Sequence, residues 1–271
     1  MPELPEVETI ARGLAGTIVG KTIASVELRL ARIAVAPPRV PFRRALAGER
    51  IVAVARRGKY VVMGLSSGRS LVTSLRMTGR LVVGSDGSPE QPATHVVLRF
   101  TDGRSLRFSD VRTFGRMRLV PRAQAWDRDL GIEPLSSDFT QQAFAGMLAG
   151  RTTPIKVLLL DQRRIAGIGN IYACEALWEA RIRPGRPARA LTKAAICRLR
   201  QAIVEVLQRA IVMRGTSFDD YVDADGLQGG FQNNLSVYGR HGRECLRCGT
   251  TRIVRTVLAQ RGTWWCRRCQ R

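Results

Sequence analysis

Near the start of the chain apolar positions recur every three to four residues. Val7, Ile10, Ala11, Leu14 and Ile18 share one face, which predicts an amphipathic helix over residues 5–18. Beyond it the pattern changes to short runs rich in Val, Ile and Leu, at 23–30, 51–54, 60–65, 71–75, 81–83, 95–100 and 105–108. Turn-forming stretches such as Ser66-Ser67-Gly68, Gly84-Ser85-Asp86-Gly87 and Thr101-Asp102-Gly103 separate them. Strands this short at this spacing predict an antiparallel β-sandwich or barrel, flanked by the first helix. Around Leu130 the pattern changes again, with Gly131 and Pro134 marking a linker over 131–136. Helical periodicity then dominates 140–148, 154–161, 170–179 and 192–214, and a polar, glycine-rich loop follows over 215–230. The pattern describes an α+β chain: a sandwich unit over 1–130, a helical unit over 137–239 that includes the loop, and a small module over 240–271.

Charge narrows the class of partner. Lys+Arg number 44 against 22 Asp+Glu in 271 residues, a net +22, and only Lys21, Lys59, Lys156 and Lys193 are lysines. A guanidinium matches phosphate bidentately, so this surface suits a polyanion. An arginine-rich codon bias explains why Arg replaces Lys, but not the excess of cations over anions. A disordered basic tail is excluded by the 45% of hydrophobic residues. No run approaches the roughly 18 apolar residues of a membrane span, and no secretory signal or amphipathic basic helix stands out. The expectation is a soluble intracellular protein with nucleic acid as its partner.

The last module carries a metal signature. Cys245-Leu246-Arg247-Cys248 and Cys266-Arg267-Arg268-Cys269 flank seventeen residues, the spacing of a two-knuckle zinc site. Each knuckle presents two thiolates on one side, and two knuckles complete a closed tetrahedral shell, which makes the zinc structural. Disulfides are the alternative, disfavoured in a reducing compartment. Cys174 and Cys197 fall in helical patterns and read as core thiols. Residues 240–271 hold nine arginines and one acid, Glu244. Between the knuckles, 253–258 and 263–265 read as strands joined by Gln260-Arg261-Gly262, a hairpin that presents Arg261 at its tip to a phosphate.

Two further segments carry candidate chemistry. Pro154-Ile155-Lys156 opens one helix. Ile165-Ala166-Gly167-Ile168-Gly169-Asn170 is a tight turn with Asn170 placed to cap the next. Such a turn offers backbone N–H groups to an anion, or its glycines merely let helices approach closely. At the N-terminus, Pro2, Glu3, Pro5, Glu6 and Glu8 suit a helix start on dipole grounds alone.

Taken together these segments resemble the formamidopyrimidine-DNA glycosylase and endonuclease VIII family of base-excision repair enzymes. The resemblance spans nearly the whole chain: Pro2-Glu3-Leu4-Pro5-Glu6, Arg57-Gly58-Lys59-Tyr60, Met77-Thr78-Gly79, Asp110-Val111-Arg112-Thr113-Phe114-Gly115, the Gly167 to Tyr172 turn, and Arg261-Gly262-Thr263. It implies a bifunctional glycosylase and abasic-site lyase with a helix-two-turn-helix domain, acting as a monomer on duplex DNA in the bacterial cytoplasm, associated with the nucleoid. Loss of Met1 would expose the Pro2 amine, whose pKa of roughly 8 leaves a usable neutral fraction, to attack C1′ of the damaged nucleoside. Glu3 is then the acid at the ring oxygen and Lys59 a second basic residue in β-elimination. Arg261 grips the lesion phosphate for δ-elimination, and Glu6 orders a water. Met77, Arg112 and Phe114 would fill the void left by the extruded base, and His95, Arg112, Lys156 and Asn170 would contact DNA.

One departure stands out. Family members carry His-Leu-x-Met before the void-filling methionine, whereas this chain reads Ser74-Leu75-Arg76-Met77, which points to Arg76 as the substitute phosphate donor. Leu4, and the resemblance of 215–226 to a lesion-capping loop, point to oxidised purines: 8-oxoguanine and formamidopyrimidines. The alternatives are the oxidised-pyrimidine branch, a non-enzymatic binder of damaged DNA, and a zinc-ribbon regulator. The regulator lacks a recognition helix, and the binder would lack Pro2 or Glu3.

Overall fold

The computed structural model describes residues 1–85, 87–121, 126–218 and 221–271. These fall into two compact units, Met1–Arg128 with Met213–Gly230, and Asp129–Val212 with Phe231–Arg271. The loop that the sequence places among the helices thus groups with the N-terminal unit.

In the first unit, α1 (Leu4–Ile18) buries Val7, Ile10, Ala11, Leu14 and Ile18, the predicted stripe. It packs on β3 (Ile51–Arg57) and β4 (Tyr60–Leu65). A five-stranded sheet runs in the order β2 (Ala34–Val35), β9 (Arg116–Val120), β5 (Ser70–Ser74), β4, β3. A four-stranded antiparallel sheet runs β1 (Ile23–Leu28), β7 (Thr94–Phe100), β8 (Arg104–Ser109), β6 (Arg80–Ser85). One apolar cluster joins both sheets and α1, drawing on Ile23, Val61, Met63, Leu71, Val96, Leu98 and Phe108. This is the expected sandwich with its flanking helix, with one exception to the antiparallel rule: β2 pairs parallel with β9 through two residues. The sequence reading passed over β9 and the short α2 (Phe42–Leu46). Met117 and Leu119 point inward between exposed Arg118 and half-buried Arg116, so the alternation is present, but it spans too few residues to stand out between a loop and a linker.

The second unit is built on α3 (Gln141–Leu148), α4 (Ile155–Leu160), α5 (Asn170–Glu179) and α6 (Lys193–Val212), and ends in the hairpin of β10 (Val254–Leu258) and β11 (Arg261–Trp265). Thr140 caps α3, its hydroxyl accepting from the Ala143 N–H at 3.1 Å. Helix α5 packs against α4, α6 and β11, and is buried almost all round, from Ile171 to Trp178. Its N-cap is Gly169, not Asn170, which is the first helical residue and has its side chain engaged elsewhere. Among the described residues no helix is long and apolar enough to cross a membrane.

Candidate functional site

The N-terminal turn is closed by its own carboxylates. Pro2 is buried, and Glu3 and Glu6 are 3% and 1% exposed. One oxygen of Glu6 accepts the Glu3 N–H at 2.8 Å, and the other accepts the Thr216 N–H at 2.7 Å. Gly215 sits so close that a Cβ there would lie 2.8 Å from the Glu6 carboxylate, and its φ of +81° favours glycine independently. Glu6, expected to order a water, therefore clips the loop to the terminal turn through two backbone N–H groups. Tyr221, buried in the same loop, donates to the Arg214 carbonyl at 3.0 Å; burial foremost, with the Glu6 charge, pushes its phenol far above the usual range. Asp223 accepts from the N–H groups of Asp225 at 3.0 Å and Leu227 at 2.9 Å. Asp219 and Asp220 of the expected capping loop lie outside the described residues.

Lys59 lies in the two-residue turn between β3 and β4 and is half-buried. Arg56 ties that turn to the first helix: it donates to Glu8 at 2.8 Å and to the Gly58 carbonyl at 3.0 Å. Burial opposes the charge on Glu8, but hydrogen bonds from Arg12 and Arg56 outweigh it and hold the carboxyl below the usual carboxylate range. The sequence reading gave Glu8 only a dipole role. Its link to Arg56, 48 residues away, becomes visible only when α1 lies on β3.

The void-filling candidates stand on two joined loops. Met77, Arg112 and Phe114 are exposed, and the Arg112 guanidinium lies 4.9 Å from the Phe114 ring centre. Asp110, 1% exposed, accepts from the Gly115 N–H at 2.7 Å, the Arg112 N–H at 3.2 Å and the Thr78 hydroxyl, so it holds the Met77 and Phe114 loops together. Gly115 is constrained by packing: a Cβ there would lie 2.6 Å from the Phe108 ring. His95 bonds the Asp110 carbonyl through Nε2 at 2.9 Å, so it braces this junction. Ser74 is buried at the end of β5, whereas Arg76 is exposed with φ of +56°.

In the second unit, Lys156 and Asn170 converge on one carbonyl. Lys156 is fully buried; its ammonium donates to the Gly262 carbonyl at 2.9 Å and the Thr263 hydroxyl at 2.7 Å, and the Asn170 amide donates to the same carbonyl at 3.0 Å. Both groups expected on DNA are used here to fix the hairpin beside exposed Arg261. Arg261 itself opens β11, paired with Leu258, and the tip is Ala259-Gln260 with φ of +47° and +59°. Sequence reasoning missed Glu175, which lies within α5. Its carboxylate accepts the N–H groups of Ser236, Val237 and Tyr238 at 2.8 to 3.0 Å and anchors the segment leading to the knuckles. Burial pushes its pKa up against those three donors.

The four knuckle sulfurs lie within 4.8 Å of one another, with Cys245 and Cys269 3.9 Å apart and Cys248 and Cys266 3.8 Å apart. Four thiolates at the Zn–S distance of ~2.3 Å place tetrahedral edges near ~3.8 Å, so the donor set fits one structural zinc. Cys174 is buried as expected; Cys197 is not a core thiol but exposed, on the outward face of α6.

This fold, a sandwich bearing a proline-glutamate terminus with a helical unit ending in a zinc hairpin, is that of a DNA-repair glycosylase. Three family models match in chain order: the formamidopyrimidine-DNA glycosylase N-terminal domain over residues 1–117, its H2TH domain over 130–221, and the zinc finger found in FPG and IleRS over 242–271. The chain is 49% identical to the formamidopyrimidine-DNA glycosylase of Heliobacterium modesticaldum, covering all of both chains, and 51% identical to that of Moorella thermoacetica over 92% of each. Among solved structures, a Lactococcus lactis FPG mutant complexed with Fapy-dG containing DNA superposes with a TM-score of 0.92 at 36% identity over the whole of both chains. The MutM (FPG) protein of Thermus thermophilus gives 0.89 at 41%, covering 99% of this chain and 98% of that one. The chain belongs to the formamidopyrimidine-DNA glycosylase family.

Proposed function

We propose that this protein is a base-excision repair glycosylase that removes oxidised purines from duplex DNA and then cleaves the strand as an abasic-site lyase. The observation that carries the reading is the buried Pro2–Glu6 turn, clipped by Glu6 to the 213–230 loop and tied through Glu8 and Arg56 to the turn that holds Lys59. The relatives' names and the lesion-bearing DNA in the solved complexes support the substrate class.

With Met1 removed, Pro2 carries a secondary amine. Its lone pair attacks C1′, the C1′–N bond breaks, and the damaged base departs with a proton. Glu3 protonates the ring oxygen as the sugar opens, leaving an iminium between Pro2 and C1′. The iminium withdraws electrons from C2′, whose proton is taken by a base, and the 3′-phosphate leaves; a second elimination releases the 5′-phosphate. Lys59 assists the first elimination and Arg261 binds phosphate for the second. Met77, Arg112 and Phe114 occupy the stack vacated by the flipped nucleotide, which offsets a few kcal/mol of unstacking. Asp110 and His95 hold those loops; Lys156 and Asn170 hold the Arg261 hairpin. The four cysteines would hold zinc, which would keep the base of that hairpin folded and take no part in the reaction.

Borohydride trapping on an 8-oxoguanine duplex tests the reading. A covalent adduct on the purine lesion, weak for Pro2→Gly, supports it. An equal adduct on an oxidised thymine moves the protein to the pyrimidine branch, and binding without any adduct makes it a non-enzymatic binder.

A further inference from the structure

A second concentration of cations lies at the other end of the helical unit. A cavity of about 540 Å³, within the usual range for small-molecule sites, is lined by six arginines and by the knuckle thiols of Cys248 and Cys269. It opens at the C-terminal end of α5, about 15 Å along that helix from Asn170. It also lies at the Cys266 end of β11, about 17 Å along the strand from Arg261. Two separate elements therefore carry it away from Asn170 and from Arg261.

Three of the arginines are in use. Arg247 stacks over Trp178, 3.9 Å from the ring centre, and donates to the Trp178 carbonyl at 2.6 Å. Arg186 donates to the Ala190 carbonyl and Arg268 to the Thr250 hydroxyl. The other three, Arg181, Arg198 and Arg271, have side chains with no hydrogen bond or ion pair among the described residues. Four thiolates around Zn²⁺ leave a charge of −2. Glu179, paired with Arg247, brings one more negative charge. Six guanidiniums exceed that total by three.

Arg181 stands just past the C-terminus of α5. Helix α5 ends in a Schellman motif, with the Ile182 N–H on the Leu177 carbonyl at 2.9 Å and the Arg181 N–H on the Trp178 carbonyl at 3.1 Å. Arg181 stands where glycine is easiest, at φ of +60°. The chain accepts that backbone conformation and places a cation at the cavity.

We propose that this cavity is a second anion site, distinct from the phosphate grip of Arg261, that takes a compact oligophosphate: the triphosphate chain of a free nucleotide, or an inorganic polyphosphate. A concave group of three open guanidiniums suits clustered phosphates, whereas duplex phosphates lie on a convex cylinder and are spaced along it.

The test is calorimetric titration of the zinc-loaded full chain with tripolyphosphate, ATP and orthophosphate, each with saturating duplex DNA present. Wild type should bind tripolyphosphate roughly tenfold or more tightly than orthophosphate. Equal affinity for ATP assigns the site to the phosphate chain alone, and tighter ATP binding assigns it to a nucleotide; both support the proposal. The triple variant Arg181→Gly, Arg198→Ala, Arg271→Ala should lose at least about tenfold, with one zinc per chain and borohydride trapping unchanged. Arg181→Gly alone, which places glycine at a left-handed position and so keeps the fold, should lose a measurable part of that. No saturable binding below about 1 mM, equal binding by wild type and variants, or displacement of tripolyphosphate by the duplex would overturn the proposal.

Discussion

Lys156 separates contact from positioning. The resemblance implies a DNA contact, and the structure gives its ammonium to the Gly262 carbonyl and Thr263 hydroxyl. Lys156→Met leaves the buried Thr263 hydroxyl oxygen without its donor and the Gly262 carbonyl with Asn170 alone, at a cost of about 1–3 kcal/mol, and loosens the Arg261 hairpin. Duplex affinity should fall while its dependence on salt keeps the same slope. A slope shallower by about one would mean that Lys156 neutralises a phosphate directly. Asp110→Ala should release the Met77 and Phe114 loops together and slow excision opposite an intact partner strand; the same rate as wild type would show that the loops hold without it. At this scale the sequence made the metal-binding cysteines legible through residue type and spacing. It left bracing illegible: Glu8 with Arg56, and Glu175 with 236–238, are pairs that only the folded chain brings together.

Elements with many residues in one period were readable, and α1 and α5 fall within a residue of their predicted limits. β9 was not, because two inward residues between arginines give too little pattern against the turns on either side. The hairpin tip offers a test of local strain. Ala259 and Gln260 both have positive φ, the geometry of a two-residue type I′ turn that favours Asn-Gly. Ala259→Asn with Gln260→Gly should raise stability by about 1 kcal/mol, read as a higher thermal midpoint; a lower one would show that the native pair makes contacts the turn needs. Removing zinc with a chelator should unfold the 242–271 module, abolish duplex binding and leave the sandwich unit's β-signal in circular dichroism. Undiminished binding after metal loss would refute the structural role.

For the whole molecule the net charge of +22 gives affinity for any polyanion, so specificity has to come from the particular residues that the fold collects. Arg76 illustrates the balance. It is exposed beside Met77 while Ser74 is buried, which makes the arginine the candidate for the phosphate contact. Arg76→Ala should weaken duplex binding and flatten its salt slope by about one, and unchanged binding would remove Arg76 from the interface. The claim on which the chemistry rests is the bond between the terminal proline and the sugar. Peptide mapping by mass spectrometry of the borohydride-trapped adduct on an 8-oxoguanine duplex tests it most directly. The account predicts a single reduced cross-link on the nitrogen of Pro2 in chains that have lost Met1. A cross-link on Lys59, or trapped chains that still carry Met1, would contradict it.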